Sequence, residues 1–91
     1  MSEPTLRFPA SHPAFPGHFP GAPVVPGALL LAAALAAHGL GGAGTRIAAV
    51  KFLRPVGPGE GVEVRRAGAT RLELRVGAQL VASVTLQAAR A

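Results

Sequence analysis

The 91-residue sequence contains no cysteine, tryptophan, tyrosine or aspartate, and only four glutamates. Without cysteine there can be no disulfide, thiolate nucleophile or cysteine-type zinc site. Three scattered histidines make a poor metal site on their own, so no metal is expected. The longest apolar run, residues 28–37, is too short to span a bilayer, and the N-terminus shows no secretory signal pattern. We therefore expect one cytoplasmic domain over residues 1–91 that does not enter a membrane.

Basic residues outnumber acidic ones, with nine lysines and arginines against four glutamates and a formal net charge of +5. Such an excess favours an acidic partner. The basic residues are spread along the chain rather than clustered, which argues against a nucleic-acid surface.

Residues 9–27 are dense in proline and glycine, which predicts a stiff and irregular loop. This loop carries His18 and ends at Pro26-Gly27, where an apolar run of alanine and leucine begins. Those residues form helices readily, and Gly39 is a suitable stop, so a helix is predicted over residues 28–38. Because it is apolar on every side, it is expected to be buried. An ionisable ring is thus placed just ahead of a helix start, where free N–H groups favour negative charge.

The sequence predicts a short strand at residues 5–8 and four consecutive strands after the helix. Their predicted ranges are 46–54, 62–65, 72–76 and 80–86, the first of them bulky and mostly buried. Short turns between the strands favour an antiparallel sheet. A three-residue loop or a β-bulge is expected before the last strand, so that Leu80 and Ala82 share the face of Leu72 and Leu74. One sheet cannot cover an entirely apolar helix, so a second copy is expected to cover the rest.

A specific motif lies at residues 17–27, Gly-His-Phe-Pro-Gly-Ala-Pro-Val-Val-Pro-Gly, which runs into Ala-Leu-Leu-Leu. It resembles the active-site segment of bacterial 3-hydroxyacyl-acyl-carrier-protein dehydratases, which have a hot-dog fold. Residues 50–56, Val-Lys-Phe-Leu-Arg-Pro-Val, with Pro-Gly-Glu at 58–60, resemble the strand after the helix in that family. The resemblance implies an α+β hot-dog fold, with a curled antiparallel sheet around one central helix. It also implies a dimer with sites at the subunit interface.

The resemblance assigns roles to individual residues. In the family, the histidine that matches His18 takes the α-proton of a 3-hydroxyacyl thioester, and the amide that matches Gly27 holds the thioester carbonyl. The neighbouring positions expected to contact substrate are Phe19, Pro26 and Ala28. The family's acid, a helix glutamate or aspartate that protonates the leaving hydroxyl, falls at position 32, which is alanine in this chain (Ala32).

The resemblance also implies partners. The substrate would be carried on the phosphopantetheine of an acidic acyl carrier protein in fatty acid biosynthesis, with no cofactor bound by the chain itself. The second subunit would be either another copy of this chain or a hot-dog homologue in a heterodimer.

The alanine at position 32 leaves several functions open. A missing general acid typically costs 10²–10⁴-fold in rate. His18 could return the proton that it took, a partner subunit could supply the acid, or the chain could be a non-catalytic subunit that binds acyl chains or completes an active homologue. A thioesterase is a further alternative, although hot-dog thioesterases usually need a carboxylate. His12 and His38 are interpreted as structural, the latter because a cationic ring suits the end of a helix.

Overall fold

One helix and five strands follow one another in the predicted order within residues 3–9, 11, 24–42 and 44–87, the part of the chain that the computed structural model describes. Their bounds are β1 Thr5–Leu6, α1 Gly27–Ala37, β2 Ile47–Phe52, β3 Val62–Arg66, β4 Arg71–Val76 and β5 Gln79–Leu86. The helix prediction is confirmed to within one residue at each end. The first strand is shorter than the predicted range 5–8, because its pairing with β3 is confined to Thr5 and Leu6.

The C-terminal end of α1 is closed by backbone hydrogen bonds around Gly39. The Leu40 N–H donates to the Leu35 carbonyl at 2.8 Å, and the Gly39 N–H donates to the Ala36 carbonyl at 3.0 Å. This is the Schellman pattern, and it needs the left-handed backbone that Gly39 adopts with φ of 69°. The side chain of Leu40 then packs against the core, so the sequence signal Gly39 ends the helix as predicted.

The sheet is antiparallel, as predicted, with the strand order β1-β3-β4-β5-β2. Consecutive strands are neighbours from β3 to β5, but β2 pairs with β5 at the far edge and not with β3. The segment between β2 and β3 contains Pro55 and Pro58, and it crosses from one edge of the sheet toward the other instead of forming a hairpin. The turn signal at residues 58–61 could not distinguish these two paths.

A β-bulge, one of the two predicted alternatives, sets the register of β5. Val76 pairs with Gln79 across a two-residue turn, Arg75 pairs with Leu80, and Leu74 pairs with Ala82. Val81 is therefore the extra residue, and the bulge returns Ala82 to the buried face that carries Leu74. The prediction was wrong for Leu80, which precedes the bulge and lies on the face of Arg75.

The core forms where α1 packs on one face of the sheet. Its fully buried side chains include Val62, Val64, Leu72, Leu74 and Val84 from the central strands. The helix contributes Leu30 and Ala34, which are four residues apart and so share one helix face, and the adjacent Leu35.

The opposite face of the helix is open to solvent, with Ala28, Ala32 and Ala36 exposed. Burial on every side is therefore wrong for the single chain, because one sheet reaches only one side of a helix. Coverage by a second subunit stays a prediction.

Strand β2 was predicted to be mostly buried, and this is wrong. Only Val50 of its six residues is partly buried. Strand β2 lies at the sheet edge, where just one neighbour covers its backbone, and the exposed large apolar residues of the described chain are Ile47, Phe52 and Leu53.

Candidate active site

The first N–H groups of α1 have no backbone hydrogen-bond partner among the described residues. Helical hydrogen bonding begins with the Leu30 N–H, which donates to the Pro26 carbonyl at 3.0 Å. The N–H groups of Gly27, Ala28 and Leu29 therefore have no partner within the helix. Pro26 occupies the N-cap with extended backbone (ψ 137°), and no described side chain forms a cap hydrogen bond. The positive end of a helix dipole, with such N–H groups, is a favourable position for an anionic or carbonyl oxygen.

A cavity of about 370 Å³ opens beside this helix start. Its lining residues are Val25, Gly27, Leu30, Phe52, Leu53, Arg54, Pro55 and Val56. The Val25 N–H donates to the Val56 carbonyl at 2.7 Å, which ties the segment before the helix to the segment after β2. The lining is apolar except for backbone groups and Arg54, so the site suits an acyl chain with a polar end.

Gly27 is in close contact with Phe52. A Cβ placed on Gly27 would lie 3.0 Å from Cζ and 3.2 Å from Cε2 of the Phe52 ring. Such a contact is tighter than normal packing, so the approach of the ring to the helix start depends on glycine at position 27. The sequence motif singled out Gly27 for its amide, but the structure gives it this second constraint.

Arg54 lies at the edge of the cavity in a fixed hydrogen-bond network. Its Nη1 donates to both Glu60 carboxylate oxygens, at 2.8 and 3.1 Å, and to the Pro55 carbonyl at 2.7 Å. Its Nε donates to the Gln79 side chain at 3.0 Å. This network holds the segment after β2 to the turn at residue 60 and to the start of β5. Sequence reasoning assigned no site role to Arg54 or Glu60, although both lie in the segments at residues 50–56 and 58–60 that resemble the family.

The Arg54–Glu60 pair predicts a specific loss of stability in acid. Hydrogen bonds from Arg54 lower the pKa of Glu60 below its ordinary value of 4.5. The unfolded chain keeps the ordinary pKa and binds more protons, so the stabilisation is present above pH 4.5 and is lost as pH falls through the folded-state pKa. We expect Glu60→Gln to lower the thermal midpoint at neutral pH and to flatten its decline in acid.

Thermal unfolding followed by circular dichroism across the acid range measures this effect. Glu63→Gln is the matched control, because it removes one carboxylate from a more exposed ion pair with Arg65 at 2.9 Å. We expect the control to keep the acid decline of the wild type. A Glu60→Gln protein with an unchanged pH dependence would contradict the assignment.

No carboxylate of the described chain lines the cavity. Ala32, the position of the expected acid, is exposed on the same helix face as Ala28. The other carboxylates pair elsewhere: Glu63 with Arg65, Glu73 with Arg75 at 3.2 Å, and Glu3 with His38 at 3.6 Å. Among the described residues, the only carboxylate in contact with a lining residue is Glu60, and its charge is already matched by Arg54.

Some of the remaining predicted site residues lie within the described ranges and others lie outside them. Pro26, Gly27 and Ala28 lie together at the helix start, as predicted. His18 and Phe19 lie outside the described residues, as does His12. His38 caps the helix and packs its ring toward β3, with Nε2 2.9 Å from the Val64 carbonyl. This contact agrees with a structural role for His38 and makes Nε2 the donor.

Two expectations from composition concern metals and membranes. Within the described ranges, no group of three or more histidine, cysteine or acidic residues could hold a metal ion. No helix of that part of the chain is long and apolar enough to cross a membrane.

Comparison with solved structures defines the class of this fold. The chain is similar to a chain of the dehydratase heterocomplex ApeI:P from Xenorhabdus doucetiae, with a TM-score of 0.70 and 22% sequence identity. The match covers 91% of this chain and 81% of that chain. The sheet with its single helix is a hot-dog fold, as the sequence resemblance implied.

A match between the sequence and a family model identifies the family. A family model for ApeI-like proteins, described as ApeI dehydratase, matches residues 2–84. The chain therefore belongs to the ApeI-like dehydratase family of hot-dog proteins. No curated protein matches it.

Proposed function

We propose that this chain is a subunit of a dehydratase that removes water from a 3-hydroxyacyl thioester, with His18 as the base and the Gly27 amide polarising the thioester carbonyl. The observation that carries the proposal is the start of α1, which has no described side-chain cap and borders a cavity lined by Gly27 itself and mostly by apolar side chains. Membership of the ApeI-like dehydratase family supports the reaction class.

The proposed reaction requires N–H donors for the thioester oxygen and a base for the α-proton. Loss of the α-proton places negative charge on the thioester oxygen, and preorganised N–H donors at a helix start stabilise that charge as it develops. A histidine with an ordinary pKa of about 6.5 can take the proton near neutral pH. The β-hydroxyl then leaves with a proton as water, and the α–β carbon bond becomes double. Pro26, Ala28 and Phe19 are proposed to contact the substrate around these atoms.

The described residues provide no acid at the cavity that could protonate the leaving hydroxyl. Ala32 has no acidic group, and the described carboxylates do not line the cavity. Either His18 returns the proton that it took, or a partner subunit brings an acid. A second candidate function, favoured by Ala32, is a non-catalytic hot-dog subunit that binds acyl chains or completes an active homologue.

We propose that the partner is a second hot-dog chain. In the described part of the chain, the edge of β2 is open and apolar, and the exposed alanines of α1 lack cover. Because the similar structure from Xenorhabdus doucetiae is a heterocomplex, the proposed partner is either a homologue or a second copy of this chain. A net charge of +5 and the exposed Lys51 on β2 suit docking of an acidic acyl carrier protein, whose phosphopantetheine would bring the thioester to the cavity.

The direct test is hydration of a trans-2-enoyl thioester, followed by loss of the enoyl absorbance. The chain is assayed alone and after co-expression with a hot-dog dehydratase homologue. Activity that His18→Ala removes supports the catalytic role. Activity of the pair that is unchanged by His18→Ala in this chain identifies the non-catalytic subunit instead. No activity in either preparation overturns the dehydratase proposal.

A further inference from the structure

Phe52 is far more exposed than its neighbours on the sheet face that packs on α1. The row that crosses the sheet at this level consists of Phe52, Ala82, Leu74 and Val64, which pair in succession from β2 to β3. At most 1% of the surface of Ala82, Leu74 or Val64 is exposed, whereas 51% of the surface of Phe52 is exposed. Residues directly opposite each other share one face of a sheet. Phe52 therefore belongs to the face that packs on the helix, yet half of its surface is uncovered.

The ring of Phe52 reaches the start of α1. Its far end, Cζ and the two Cε atoms, is the part that approaches Gly27. The ring thus bridges β2 and the start of α1 and forms one wall of the cavity, next to the amide proposed to hold the thioester carbonyl. The strand ends directly after Phe52, where the Leu53 N–H donates to the carbonyl of the bulged Val81 at 2.8 Å. The bulge therefore fixes where on the cavity the ring sits.

We propose that Phe52 determines which acyl chains the cavity accepts, by packing its exposed side against the acyl carbons that extend past the thioester. The inference rests on the proposed function, since it names the acyl group as the occupant of the same cavity. An aromatic ring that is half exposed beside an apolar pocket gains a partner when such a chain enters. The competing occupant of this surface is a partner subunit at the β2 edge, and the experiment below separates the two.

The test compares the wild type with Phe52→Ala and Phe52→Leu over a series of trans-2-enoyl thioesters of increasing chain length. Removing the ring extends the space that is open to the acyl chain, so we expect the ratio of kcat/KM for longer over shorter chains to rise about tenfold, since one or two methylenes in an apolar pocket carry that discrimination. Ile47→Ala is the matched control, because Ile47 is an exposed apolar residue of the same strand that does not line the cavity. It should keep the wild-type profile.

Two further measurements keep the outcome interpretable. Calorimetric binding of saturated acyl thioesters, which cannot react, should show the same change of chain-length preference even in a chain that does not turn over. Gly27→Ala should alter that preference by displacing the ring, and its effect should vanish in the Phe52→Ala background. If no thioester is hydrated but the binding preference still changes, the dehydratase proposal fails and this inference stands. It is overturned if both profiles stay at the wild-type values, or if Phe52→Ala only lowers the mass of the assembly, which would place the ring in a subunit interface.

Discussion

Replacing Ala32 with glutamate is expected to raise the dehydration rate by roughly 10²–10⁴-fold, the contribution that a positioned general acid typically makes. Position 32 lies five residues beyond Gly27, or about 7.5 Å along the helix axis at 1.5 Å per residue. It shares the exposed helix face with Ala28, so a glutamate side chain can extend from there without displacing core residues. The graft would supply the acid that is missing for the leaving hydroxyl. The measurement is hydration of a trans-2-enoyl thioester by wild type and variant at equal concentration.

Ala36→Glu is the matched control for this graft. Ala36 is exposed on the same face one helical turn further on, so it adds the same charge and side chain about 6 Å further from the helix start. We expect no gain from it. His18→Ala in the Ala32→Glu background should remove the gain, because base and acid act on the same substrate. An Ala32→Glu variant no faster than the wild type, or an equal gain from Ala36→Glu, would contradict the proposed arrangement of base, anchor and acid.

The helix and its caps could be predicted from the sequence because their signals are local. An alanine-leucine run between Pro26-Gly27 and Gly39 leaves little choice of structure, and α1 begins and ends where those residues place it. The need for a longer loop or a β-bulge before the last strand could also be predicted, since a two-residue turn alone would not place Ala82 beside Leu74, but the position of the bulge at Val81 could not. In both cases the controlling residues are close together in the sequence.

The position of β2 in the sheet could not be predicted from local sequence signals. Its apolar sequence indicates a buried strand, but burial depends on the number of neighbours, and among the described strands β2 pairs only with β5. The wall of the candidate site depends on this long-range pairing, because it brings Phe52 to Gly27, 25 residues earlier in the chain. The motif could therefore predict Gly27 as a site residue from its neighbours, whereas the contacts of Phe52 and Arg54 depend on the sheet order.

The exposed edge of β2 leads to the second large prediction, that Ala49→Lys weakens subunit association roughly 10- to 100-fold, equivalent to about 1.4–2.8 kcal/mol. An edge strand with unpaired N–H and C=O groups is a template for another strand, and lysine on such an edge opposes pairing. Ala49 is exposed on β2, and two copies facing each other would bring the new charges together with the nearby Lys51 residues. Light scattering over a dilution series measures the mass and the concentration at which the assembly dissociates.

Thr85→Lys is the control that tests the edge itself. Thr85 is the β5 partner of Ala49 in the sheet register and is also exposed, so both substitutions add one lysine to the same sheet face. Of these two residues, only Ala49 lies on the strand with a free edge. If the subunits associate through β2, the Thr85→Lys variant keeps the wild-type mass while the Ala49→Lys variant dissociates, whether the partner is a second copy or a co-expressed homologue. Equal dissociation of both variants would place the interface on the outer sheet face, and the exposed alanines of α1 would then need another explanation.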